Sequence, residues 1–149
     1  MRWMNSTSST LLVGVASAAF AMFSASAGAE TKPLEIKTVE DARSAVFAGG
    51  CFWCVEADFD KVDGVLETVS GYIGGDSAAP TYRTHARDGH LEAVKIAFDP
   101  DQVSYEQLVS YFFRTIDPTD AGGQFCDRGN SYTTAIFAQD DRQAQIARA

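Results

Sequence analysis

Ser44-Ala45-Val46-Phe47-Ala48-Gly49-Gly50-Cys51-Phe52-Trp53-Cys54-Val55-Glu56-Ala57-Asp58-Phe59-Asp60-Lys61 decides the fold. The apolar run Ser44–Ala48 stops at two glycines, which predicts a buried strand entering a tight turn. After the turn, Phe52, Val55 and Phe59 fall on one side and Glu56 and Asp60 on the other, the spacing of a helix over Cys51–Lys61. Working outward, Val62–Val65 turns the chain and Val65–Ile73, rich in β-branched and aromatic residues, reads as a strand. Gly74–Gly89 reads as a long loop. Leu91–Phe98 alternates as a strand closed by Asp99-Pro100, and Ser104 is suited to cap a helix over Tyr105–Arg114. A second long loop covers Thr115–Ser131, Tyr132–Ala138 reads as a strand, and a helix starts at Asp140. The order strand, helix, strand, strand, helix, strand predicts an α+β, ferredoxin-like split β-α-β sandwich. Its sheet is mostly antiparallel, with helices on one face.

Composition bounds the function. The 149 residues carry 12 Lys+Arg against 20 Asp+Glu, a formal charge of -8 that argues against phosphate-backbone binding. At 46% hydrophobic, the chain can bury one core, and its length suits one domain. Three cysteines cannot all pair within the chain, so a disulfide scaffold is not expected. Met1–Ala29 has a single charge, Arg2, an apolar run over Leu11–Phe23, and a small-x-small pair at Ala27 and Ala29. This predicts a secretory signal peptide cut before Glu30, with residues 30–149 as a single catalytic domain in an exported, oxidising, periplasmic compartment. An uncleaved anchor is the competing reading, but the run is short for a span and Gly14 breaks it.

Cys51 follows a Gly-Gly turn at a predicted helix start, where unpaired N–H groups and the helix dipole favour an ionised sulfur. That is a place for a nucleophile, and a buried structural cysteine is the bland alternative. Cys54 completes a Cys-x-x-Cys pair. Haem attachment fails because Val55 stands where His is needed. A zinc site would draw on Cys51, Cys54, Cys126 and His90, without a second Cys-x-x-Cys to support it. Redox use remains, as a thioredoxin-like exchange pair or as a nucleophile with a resolving thiol. Phe52 and Trp53 beside the nucleophile suggest a pocket for a small apolar group, with core packing as the alternative.

Ala48-Gly49-Gly50-Cys51-Phe52-Trp53-Cys54-Val55-Glu56 closely resembles the active-site segment of A-type peptide methionine sulfoxide reductases, in the variant with Cys54 after the Trp. Gly71-Tyr72-Ile73-Gly74-Gly75, Pro80-Thr81-Tyr82-Arg83, Gly89-His90-Leu91-Glu92-Ala93-Val94 and Asp117-Pro118-Thr119-Asp120 resemble further segments of that family, in order. The resemblance runs from about Ala45 to the chain end. It implies reduction of methionine S-sulfoxide, with Cys51 as nucleophile and Phe52 and Trp53 receiving the S-methyl group. Tyr82, Glu92, Asp127 and Tyr132 would surround the sulfoxide oxygen. Each of these four also has a plain reading: a solvent-facing strand residue for Glu92, core aromatics for the tyrosines, a turn residue for Asp127.

The chemistry fits the implied set. A carboxylic acid buried near aromatics keeps its proton and can deliver it to a departing oxygen, the role expected of Glu92. Tyrosine hydroxyls would stabilise the oxygen as charge develops. Cys51 would become a sulfenic acid and condense with a second thiol, and an outside dithiol would reduce the disulfide. Cys54 is the expected resolving thiol, ahead of Cys126, which stands where family members often carry a different stretch. The family continues beyond Ala149, so the chain is expected to be C-terminally incomplete. No metal or bound cofactor is expected. The partners expected are oxidised proteins or free methionine sulfoxide and a thioredoxin-like reductant, with no nucleic acid, the chain acting as a monomer. The rival enzyme is a thiol–disulfide oxidoreductase using Cys51 and Cys54, and the non-enzymatic rival is a small zinc-stabilised binding module.

Overall fold

In the computed structural model, residues 38–149 are described, so the expected signal peptide lies outside the described residues. Strand β1 (Arg43–Gly49) leads into helix α1 (Phe52–Phe59), followed by the antiparallel strands β2 (Val65–Ile73) and β3 (Leu91–Phe98). Helix α2 spans Tyr105–Thr115. A short hairpin, β4 (Gly123–Gln124) and β5 (Asp127–Arg128), precedes a 3-10 turn at Asn130–Tyr132, strand β6 (Thr134–Ile136) and helix α3 (Asp141–Arg148). The main sheet has the order β2-β3-β1-β6, with every neighbour antiparallel, as a split β-α-β sandwich requires.

Ser104 caps α2 as its sequence position predicts. Its hydroxyl accepts the Gln107 N–H at 3.2 Å while the Gln107 side chain accepts the Ser104 N–H at 2.8 Å. Asp140 caps α3 by accepting the Gln143 N–H at 2.7 Å, and the Gln143 amide donates to the Ser44 carbonyl at 2.8 Å, tying α3 to β1. Between sheet and helices lies an apolar core of Phe47, Phe59, Val94, Ile96, Phe98, Leu108 and Phe112. Phe47 stacks on Phe112 with ring centroids 4.8 Å apart.

Three boundaries depart from the sequence reading. The strand expected over Tyr132–Ala138 holds only Thr134–Ile136, because Tyr132 closes a 3-10 turn begun at Asn130. The Thr115–Ser131 loop contains the β4–β5 hairpin, whose two-residue strands carry no periodicity to read. The alternation over Leu91–Phe98 does not divide a wet face from a dry one. β3 is an inner strand, and of its residues only Lys95 is exposed.

Registers explain where the site forms. Phe47 pairs with Val94 and Gly49 with Thr134. Continued by two residues, the β1–β3 register sets Glu92 against Gly49. Tyr72 pairs with Glu92 across β2 and β3. The end of β1, the start of β3, the end of β2 and the approach to β6 therefore meet at one edge of the sheet, where α1 begins.

Candidate active site

Cys51 is the N-cap residue of α1, half-buried, and its side chain makes no capping hydrogen bond. The turn before it depends on Gly50, whose φ is +91° and whose added Cβ would stand 2.6 Å from Gln124 Cβ. Gln124 is buried in the hairpin. Its amide oxygen accepts the Asp117 N–H at 2.7 Å, and its nitrogen donates to the Asp117 and Gly123 carbonyls at 2.9 and 2.8 Å. This packing holds the Asp117–Arg128 segment against the nucleophile turn. Arg128 braces the same segment with a forked pair of bonds to Asp120 at 2.6 and 3.1 Å.

Glu92 is only 2% exposed. Its Oε2 accepts the N–H of Phe52, the first residue of α1, at 3.0 Å. The carboxyl thus occupies the capping place that the Cys51 side chain leaves free, and it is bonded to the peptide next to the nucleophile. Burial pushes the Glu92 carboxyl above its ordinary range. The Phe52 N–H and His85 pull it down, and Asp127 adds to the rise. The net effect favours a neutral acid that can donate its proton. The solvent-facing alternative for Glu92 is thereby set aside.

Around this acid the described structure gathers the other sequence candidates. Tyr132 is half-buried, and its hydroxyl is pushed up by burial and then by Glu92, Tyr82, Asp127 and Cys51, so it remains a proton donor at neutral pH. Asp127, on β5, is near enough to act electrostatically on Glu92, Tyr132 and Cys54. Phe52 is buried and packs against Tyr72, with centroids 5.6 Å apart, and against Trp53 at 5.1 Å. Trp53 and Tyr82 are exposed and stack on one another at 5.8 Å with 17° between ring planes. The two aromatics after Cys51 therefore divide their work: Phe52 closes the core and Trp53 offers a flat apolar wall to solvent.

All three cysteines are free. Cys54 is exposed, yet its thiol is raised by partial loss of hydration, by a hydrogen bond with Cys51 and by the charges of Cys51, Asp127 and Asp58. Its thiol is thus biased toward the protonated form. Cys126 is exposed beside Phe125, which has a φ of +50° at the hairpin turn. Among the described residues no three His, Cys, Asp or Glu side chains converge to hold a metal. His90, a candidate ligand, is engaged in its own loop: it accepts the Gly75 N–H at 3.1 Å and donates to the Ser77 carbonyl at 3.1 Å.

Sequence reasoning assigned no role to Tyr72, His85 or Gln124. Tyr72 lies within a quoted family segment, and its pairing with Glu92 follows only from the strand register. A lone histidine in a loop and a glutamine in a Gly-rich run carry no pattern that marks them.

A cysteine at a helix start on a ferredoxin-like sandwich, with a buried acid bonded to the next peptide and a second thiol three residues on, has the parts of a cysteine-based redox site. The sequence model of the family described as "Peptide methionine sulfoxide reductase" matches residues 43–149, and the chain belongs to that family. It is 66% identical over 105 residues to the peptide methionine sulfoxide reductase MsrA 2 of Rhizobium meliloti (strain 1021), covering 70% of this chain and 53% of that protein. With the MsrA of Bacillus velezensis it shares 53% identity over 112 residues, covering 74% of this chain and 63% of that one. Among solved structures, methionine sulfoxide reductase A of Corynebacterium diphtheriae superposes with a TM-score of 0.68 at 34% identity, covering 72% of this chain and 53% of that one. The chain spans about half the length of the Rhizobium relative.

Proposed function

We propose that this chain reduces methionine S-sulfoxide, in proteins and as the free amino acid, to methionine. The observation that carries this reading is the buried Glu92 carboxyl bonded at 3.0 Å to the N–H that follows Cys51, within a chain of this family. The Cys51 thiolate attacks the sulfoxide sulfur while Glu92 supplies a proton to its oxygen, with the Tyr82 and Tyr132 hydroxyls as donors. In net terms thiolate, sulfoxide and one proton give a sulfenic acid on Cys51 and methionine. Trp53 receives the S-methyl group over the buried Phe52. The Cys54 thiol, three residues on in the first turn of α1, then displaces water from the sulfenic acid to form a disulfide. The family match over residues 43–149 favours the reductase over the exchange reading.

An outside dithiol of thioredoxin type would then reduce the Cys51–Cys54 disulfide, because Cys54 is exposed to attack. A solved structure holds yeast Mxr1 in complex with Trx2, and the likeness of Mxr1 to this chain, 20% identical at a TM-score of 0.51, is one of fold. On the N-terminal sequence we place the protein in an exported compartment, with residues 30–149 as its catalytic domain. The function is tested with racemic methionine sulfoxide and dithiothreitol. Consumption of the S epimer alone supports the proposal, and reduction of insulin disulfides with no sulfoxide consumed overturns it.

A further inference from the structure

His85 sits in the turns between β2 and β3, 4% exposed, with its ring stacked on Tyr72 at a centroid distance of 4.7 Å. Its Nδ1 is 2.9 Å from the Tyr82 carbonyl oxygen. A carbonyl only accepts, so Nδ1 carries the hydrogen and the neutral ring presents a bare Nε2. That Nε2 is buried, makes no hydrogen bond, and faces Glu92 Oε1 at 3.5 Å. The other carboxyl oxygen, Oε2, is occupied as acceptor of the Phe52 N–H. The acid proton of Glu92 therefore belongs on Oε1, opposite a ring nitrogen able to accept it.

From this geometry we infer that His85 is a positioning residue for Glu92: its bare Nε2, facing Oε1, holds the carboxyl in the orientation that the Phe52 N–H fixes from the other side. The inference rests on the reading of Glu92 as proton donor. When Glu92 gives its proton to the sulfoxide oxygen, the carboxylate left behind stays anchored by the Phe52 N–H, with the His85 ring filling the space beside Oε1. Other ionisable groups around the pair are Tyr72 from β2, Tyr82 from the loop, Cys51 at the head of α1, Asp127 from β5 and Tyr132 from the 3-10 turn. Burial pushes Tyr72 and Tyr132 up, so both stay neutral, and Asp127 opposes a negative Glu92. The 3.5 Å gap closes to a hydrogen bond with a small rotation of the carboxyl.

The test uses the full 149-residue chain and single-turnover reduction of methionine sulfoxide, followed across pH without added reductant, for wild type, His85→Gln and Glu92→Gln. His85 faces the Glu92 carboxyl directly, so its loss should displace the alkaline limb of the rate. The plateau should drop about tenfold, less than the 10²-fold or more that loss of the general acid itself would cost, with KM changed less than twofold. An unmoved limb in His85→Gln, with Glu92→Gln impaired, overturns the His85 inference and leaves the Glu92 reading standing. Full single-turnover rate in Glu92→Gln overturns the reading itself. Should His85→Gln fail to fold, nitrogen-15 shifts of the wild-type ring decide: protonated Nδ1 supports the inference, and a ring protonated at Nε2 with bare Nδ1 overturns it.

Discussion

Glu92 Oε2 and the backbone N–H of Phe52 lie 3.0 Å apart, which ties the candidate proton donor to the peptide that follows Cys51. The contact joins the first turn of α1 to the start of β3, forty residues along the chain, and the antiparallel pairing of β1 with β3 brings the two ends together. A fixed spacing of this kind is the preorganisation that the proposed catalysis requires.

Glu92→Gln keeps an acceptor for the Phe52 N–H, so the fold should survive while the proton is lost. Single-turnover methionine formation is expected to fall about 10²- to 10⁴-fold. The same variant has a stability signature. With the native carboxyl held above its ordinary range, the folded state retains a proton that the unfolded chain releases. Wild-type stability is fully present below the usual carboxylate range and declines as pH rises through the raised value. Melting midpoints across pH should show this decline in wild type and its absence in Glu92→Gln.

Replacing either accessory thiol separates their roles. Cys54→Ser should still yield one methionine per chain and leave a Cys51 sulfenic acid that dimedone captures. Cys126→Ser should form the disulfide at the wild-type rate. Dimedone labelling of Cys126→Ser, with none of Cys54→Ser, would reassign the resolving thiol.

Gly50→Ala puts a side chain at a φ of +91° and 2.6 Å from Gln124 Cβ. Folding stability should drop by about 1–3 kcal/mol, read from denaturant midpoints, and sulfoxide turnover should fall with it as the hairpin is displaced from Cys51.

Trp53→Ala removes the exposed wall that stacks on Tyr82, and its surface position spares the core. KM for free methionine sulfoxide should rise about tenfold, the loss expected for one aromatic contact on a small substrate, with the melting midpoint nearly unchanged.

The fold was legible wherever apolar spacing or a cap carried it. Phe52, Val55 and Phe59 mark α1, Ser104 marks the start of α2, and the Gly-Gly pair ends β1. Residues whose placement depends on partners distant in sequence were not legible. The β4–β5 strands are too short to show a period, and Gln124 matters because Gly50 leaves it room. Tyr132 reads as strand by composition, but the Gly129 carbonyl accepts its N–H at 3.1 Å and folds it into a turn. His85 gains meaning only when β3 brings Glu92 to it. Cys51 and its neighbours stand out in the sequence because a Gly-Gly-Cys turn before an amphipathic helix constrains the backbone, and the structure places Cys51 at that helix start.

The central claim is that the Cys51 sulfur removes the oxygen. It is tested most directly by mixing reduced protein with excess methionine sulfoxide, without reductant, and counting the methionine formed per chain. Wild type should release one methionine per chain as free thiol is lost, and Cys51→Ser, folded to the same melting midpoint, should release none. Stoichiometric methionine from Cys51→Ser would contradict the account.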